Sequence, residues 1–202
     1  VQDMEDDSIP EDVQRKILLF AKAALAVGQL KNKSYLNIGS VSMGIMGSFM
    51  DPSFYIHYLG MRPEWVDMTE VLRRMDQGIY DKEEFDRALD WVHKNCPEGM
   101  DPNPESRAHT AEQKATEWEF VVKMTLIIRD LMTGNPKLAA IGFKEESLGR
   151  NALFAGFQGQ RMWTDYKPNA DFTEAILNST FDWRGKKQPT VFATENDNLN
   201  GL

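Results

Sequence analysis

The stretch "FVVKMTLIIRDLM", residues 120–132, most constrains how this chain folds. It is the second half of a long helical pattern, roughly Glu105 to Thr133, that Gly134, Asn135 and Pro136 terminate. Ala111, Ala115, Trp118, Val122 and Leu126 line one face of that helix. From Phe120 onward it is apolar on most sides, so it has little to offer water and has to be wrapped by other elements. The remaining apolar segments are short. Tyr35–Ile38, Trp65–Met68 and Thr190–Thr194 read as strands, with Pro189 barring earlier pairing of the last. Strands that alternate with helical patterns predict an α/β fold with parallel pairing. The expected form is a three-layer, Rossmann-like domain with a small parallel sheet flanked by helices.

Local signals punctuate this plan. "SIPEDVQRKILLFAKAALAVGQLK" predicts a first helix, with Ser8 and Glu11 at capping-box spacing, Pro10 in the first turn, and Val13, Ile17, Phe20, Ala24 and Val27 at helical intervals. Lys31–Ser34 reads as a connector, and the Gly/Ser loop "GSVSMGIMGS" follows the first strand. Thr69 is placed to cap "EVLRRM", and Asp81 with Glu84 to cap "FDRALDWVHKNC". Glu98–Ser106 is a Pro-rich acidic loop. "KEESLGRNALFAGFQGQRMWTDYKPNADF" reads as a helical turn followed by a Gly-spaced loop, after which Asp171 and Glu174 cap "AILNSTF".

Composition narrows the function classes. The chain has 202 residues, 31 acidic against 23 basic, for a net charge of −8. With no Lys/Arg-rich block, such a surface repels phosphate backbones and argues against a nucleic-acid partner. No apolar run reaches membrane-spanning length. The single Cys96 allows no internal disulfide, which fits a cytoplasmic location. The N-terminus begins on Val1 with an acidic run, unlike a signal peptide, and suggests an internal start of a longer protein.

Few residues carry chemical promise. Gly39, Gly44 and Gly47 follow a strand, but their spacing is not that of a dinucleotide fingerprint, and a tight βα turn explains them better. His57, His93 and His109 fall at no metal-ligand spacing. In "GFQGQRMWTD" two carboxamides, Gln158 and Gln160, precede Trp163. Carboxamides both donate to and accept from sugar hydroxyls, and an indole face suits a sugar's C–H face. A buried turn that satisfies its own backbone accounts for the same residues equally well. Glu195, just past the final strand, is a carboxylate where open α/β sheets handle ligands, fit to bind a divalent cation or act as a base. A helix cap or salt-bridge partner is its ordinary role.

Taken together, "SYLNIGSVSMGIMGS", "WVDMTEVLRRMDQGIYD", "KLAAIGFKEESLGRNALFAGFQGQRMWTD", "EAILNSTFDW" and "VFATENDNLNG" resemble the L-fucose isomerase family, in one colinear run from Ser34 to Leu202. The resemblance implies that residues 34–202 are the central domain of a three-domain ketol-isomerase. Residues 1–33 would be the last helix and linker of the domain before it, and the third domain would be missing. It further implies interconversion of L-fucose and L-fuculose, with D-arabinose and D-ribulose as a side activity, manganese (Mn2+) as cofactor, and a homo-hexamer. In that family two carboxylates and a His hold the metal, and the carboxylates also shuttle the proton between C1 and C2. Glu195 in "ATEND" matches the first carboxylate, as metal ligand and catalytic residue. Gln158 matches a sugar-contacting position and Gln160 is its neighbour. The matching Asp and His are expected beyond Leu202, which would leave the fragment inactive by itself. The alternative from another class is a stand-alone α/β carbohydrate-binding module without catalysis.

Overall fold

A computed structural model of the chain describes residues 8–39, 51–158 and 163–195. Four parallel strands form the sheet, in the order β2-β1-β3-β6: β1 Ser34–Ile38, β2 Arg62–Val66, β3 Ala152–Phe157 and β6 Val191–Ala193. A separate two-residue hairpin pairs β4 Phe181–Asp182 with β5 Gly185–Lys186. The helices are α1 Glu11–Leu30, α2 Pro52–Phe54, α3 Met68–Asp76, α4 Lys82–Asn95, α5 Ala111–Thr133, α6 Pro136–Ala140 and α7 Asp171–Asn178. A π-helical turn runs over Tyr55–Leu59. The α/β class and the parallel sheet between helices are as the alternation predicts.

The long helix behaves as its composition demands. In α5, ten residues from Val121 to Met132 are buried, and the half before Val121 has none. Its apolar turns pack with Val71 of α3 and Leu177 of α7 against Leu36, Ile38, Ala155, Phe157 and Phe192 of the sheet. The opposite sheet face carries a smaller cluster of Tyr35, Tyr55 and Met61, edged by Leu30 and Phe154. A further layer forms where Ala88 and Val92 of α4 meet Val122, with Trp118, Phe172 and Trp183 around them.

Several local expectations change. β3 is a strand where a Gly-spaced loop was predicted. Its run "ALFAGF" is paired by β1 on one side and β6 on the other, so hydrogen bonds at both edges outweigh the low strand preference of Gly156. β2 begins at Arg62 and contains Pro63, which the sheet tolerates because β2 lies at its edge. α5 starts at Ala111 behind a capping box of Thr110 and Gln113, not at Glu105. α1 starts after Pro10 with no side-chain cap, α3 is capped by Asp67 rather than Thr69, and α7 has no side-chain cap. Asp81 does cap α4, accepting from the Glu84 N–H. None of the apolar residues of α1 is buried: Phe20 is 78% and Leu25 66% exposed.

The free edge of β6 is closed by one side chain. Asn178, the last residue of α7, donates from Nδ2 to the Phe192 carbonyl at 2.7 Å and accepts the Phe192 N–H on Oδ1 at 3.2 Å. Its carboxamide thus stands in for a neighbouring strand. Asn178→Ala is expected to destabilise the chain by about 1–3 kcal/mol, because both backbone groups lose their partner. Denaturant unfolding checks this, and an unchanged midpoint would show that water replaces the amide at no cost.

Candidate site at the carboxyl end of the sheet

The topology places the site before any side chain is considered. From β1 the chain first adds β2 on one side and later β3 on the other, so the winding reverses between β1 and β3. In open parallel sheets the crevice beyond the strands' carboxyl ends, at such a reversal, is where ligands bind. Gly39 and Gln158 are the first residues past β1 and β3. They remain tied to the sheet: the Gly39 N–H donates to Val66 O at 2.7 Å and the Gln158 N–H to Ile38 O at 2.8 Å.

The register then brings in Glu195. Gly156 pairs with Ala193, and two residues on, Gln158 and Glu195 face each other through a backbone bridge of antiparallel type. Phe157 and Phe192 fill the helical side of the sheet just before this point, and Gln158 and Glu195 lie past the ends of β3 and β6. Thr194 is 5% exposed, whereas Glu195 is exposed. Gln158 itself is buried, at 2% exposure. A buried carboxamide and an accessible carboxylate therefore sit just past the ends of adjacent strands, about 5 Å apart at the backbone. Such a pair can hold a polyhydroxyl compound by its hydroxyls and exchange a proton with it.

Other expected site residues fare differently. Gln160, Gly44 and Gly47 lie outside the described residues. Trp163 is no sugar platform. It is 4% exposed, its ring stands edge-on to Phe157 at 5.1 Å, and its indole N–H donates to Pro168 O at 2.7 Å. The satisfied-turn reading holds for Trp163. His109 pairs with Glu117 at 2.7 Å, and among the described residues no three His, Cys, Asp or Glu side chains gather to hold a metal. Glu195 supplies one oxygen donor, and manganese or magnesium favours about six, so these residues by themselves do not fit the cation.

A cavity of about 560 Å³ over α5, lined by Glu98, His109, Lys114, Trp118 and Phe172 among others, shares no residue with this row. Its polar side chains already engage one another: Glu98 takes Lys114 at 3.0 Å and the Trp118 indole N–H at 3.1 Å. Among the described residues no helix is long and apolar enough to cross a membrane.

Sequence reasoning missed Gly39 as part of the site and β3 as the strand that carries Gln158. The signal for β3 was a run of six consecutive nonpolar residues bounded by polar ones, which suits a buried strand and a buried helical segment alike.

Known proteins give the site its context. Residues 33–202 match the family model "L-fucose isomerase, second N-terminal domain". The whole chain is 59% identical to the L-fucose isomerases of Streptococcus pneumoniae (strain Hungary19A-6) and Vibrio vulnificus (strain YJ016), covering 34% of each. It is 58% identical to that of Bacteroides fragilis (strain YCH46), covering 35% of it. The chain thus spans about a third of the length of these curated relatives. With a match that runs through β1, β3 and β6 and includes both Gln158 and Glu195, the chain belongs to the L-fucose isomerase family.

Proposed function

We propose that this chain is the part of an L-fucose isomerase that contributes one catalytic carboxylate, Glu195, and one sugar-contacting carboxamide, Gln158. The substrates are L-fucose and L-fuculose, with D-arabinose and D-ribulose as a slower pair. The observation that carries this reading is the backbone bridge that sets Gln158 opposite Glu195 at the sheet's carboxyl end. Moving a carbonyl between C1 and C2 requires taking a proton from one carbon and returning it to the next. An accessible carboxylate beside a hydroxyl-binding group is suited to hold that proton in transit. Gln158, buried and anchored through its backbone to β1, orients the sugar with little freedom to lose on binding.

Glu195 is in this proposal one of several donors to manganese, with the others outside this chain, and the cation supplies polarisation of the sugar carbonyl when bound. Gln160 is the second, neighbouring sugar contact. Residues 1–33 belong to a preceding domain, in keeping with an α1 that buries none of its side chains and with a family match that begins at residue 33. The full-length protein is a cytoplasmic homo-hexamer.

The purified chain is expected to form no L-fuculose from L-fucose even with excess manganese, whereas the full-length enzyme does so. Metal-dependent L-fuculose production by the chain alone would refute the division of the site. Tight L-fucose binding by the chain without metal, with a full-length protein that is inactive, would favour a binding module instead.

A further inference from the structure

We infer that Gly39 is a positioning residue for Gln158, holding open the slot in which the root of that side chain sits. This rests on the reading of Gln158 as a sugar contact. Gly39 adopts φ +98°, a conformation that favours glycine. More telling is what a side chain there would strike. A Cβ on Gly39 would stand 2.9 Å from Gln158 Cβ, and 3.3 and 3.4 Å from Met68 Cγ and Sδ. Two Cβ atoms do not approach so closely, so one of them has to move.

How the overlap is relieved follows from how each group is held. The Met68 thioether is flexible and yields by rotation. The Gln158 Cβ has no such freedom, because the backbone fixes it and the Gln158 N–H is bonded to Ile38 O. Gly39 is equally fixed by its own bond to Val66 O. The overlap is therefore relieved only by shifting the ends of β1 and β3 apart, which displaces the Gln158 side chain. The missing side chain at the end of β1 thus sets the position of the carboxamide just past the next strand.

The test is made in the full-length enzyme. Gly39→Ala is expected to lower kcat/KM for L-fucose roughly 10- to 100-fold, as a displacement of about 1 Å does, mainly through a raised KM. The manganese concentration for half-maximal activity should stay as in the parent. Gln158→Gly removes the Cβ that is struck and should by itself cost up to about tenfold, the worth of one hydrogen bond to a neutral hydroxyl. In that background Gly39→Ala should cost much less, because only the strain from φ and the yielding Met68 contact remain, whereas strain from φ alone would give the same loss in both. Equal losses in the two backgrounds, or a Gly39→Ala enzyme as active as the parent, overturn the inference. If Gly39→Ala fails to fold, the thermal midpoint of the double variant decides: recovery supports the contact and no recovery overturns it. If Gln158→Gly leaves the L-fucose kinetics untouched, the sugar-contact reading of Gln158 falls, and this inference with it.

Discussion

In the full-length enzyme, Glu195→Gln is expected to abolish turnover of L-fucose and leave the fold intact. The substitution keeps the shape of the side chain and removes its negative charge. A carboxamide cannot take up the proton that has to leave one carbon and arrive at the next, and it is a poor donor to a hard cation. Losing a general base costs ~10²–10⁴-fold, and losing a metal donor in the same step adds to it. Structure should be spared, because Glu195 is exposed and its tie to Gln158 is made by backbone atoms that the substitution leaves in place. Steady-state kinetics with an unfolding curve of the same preparation make the measurement. A variant that keeps a tenth of the parent's activity would show that Glu195 is neither base nor necessary ligand.

The second large effect lies away from the site, at the contact of α4 with α5. Arg129 donates to Glu84 Oε2 at 2.9 Å and to Asp130 Oδ1 at 2.8 Å, with side chains 11%, 8% and 2% exposed. Trp183 adds an indole N–H to Glu84 at 2.9 Å, Arg184 stands 3.7 Å from it, and Asn135 donates to the other Asp130 oxygen at 2.9 Å. Burial raises the Glu84 pKa, but Arg129, Trp183 and Arg184 outweigh it and the net shift is downward. For Asp130 burial wins over Arg129 and Asn135, and its pKa is raised.

Arg129→Met leaves two buried carboxylates with too little compensating charge. It should cost about 3–5 kcal/mol at neutral pH. The pH dependence gives a second signature. In the parent the Glu84 carboxyl titrates lower when folded, so its stabilisation is present above its ordinary value of 4.5 and is lost as pH falls below it. In the variant both carboxyls titrate higher when folded, so the folded state binds protons first and gains relative stability as pH drops. The gap between the two proteins should therefore narrow from pH 7 to pH 5. Urea unfolding at the two pH values tests this, and a gap that is small or independent of pH would show the arginine to be dispensable.

Much of this was legible in the chain itself. The burial of "FVVKMTLIIRDLM", the helix behind Asp81, the strand before Gly39 and the placement of Glu195 past a strand all follow from residue types a few positions apart. Periodicity and capping act over one or two turns, so local sequence is enough to express them. "ALFAGF" shows the limit. Its glycine and alanines have little strand preference of their own, and only partners more than a hundred residues earlier and some forty later make it a strand. Trp163 shows the same limit for function, because an indole suited to a sugar is equally suited to a core, and only its packing on Phe157 decides between them.

By itself, then, the order of residues determined the α/β class, the buried helix and the candidate pair Gln158 and Glu195. Tertiary structure alone decided that these two stand side by side, that Trp163 does not join them, that Asn178 closes the edge beneath Glu195, and that Gly39 leaves room for Gln158. The physical reason is that a strand's pleat and its neighbours' register are set by hydrogen bonds between segments far apart in the chain. Which side chains share a face at the end of a sheet is fixed by that pairing and not by any property of the segments taken singly.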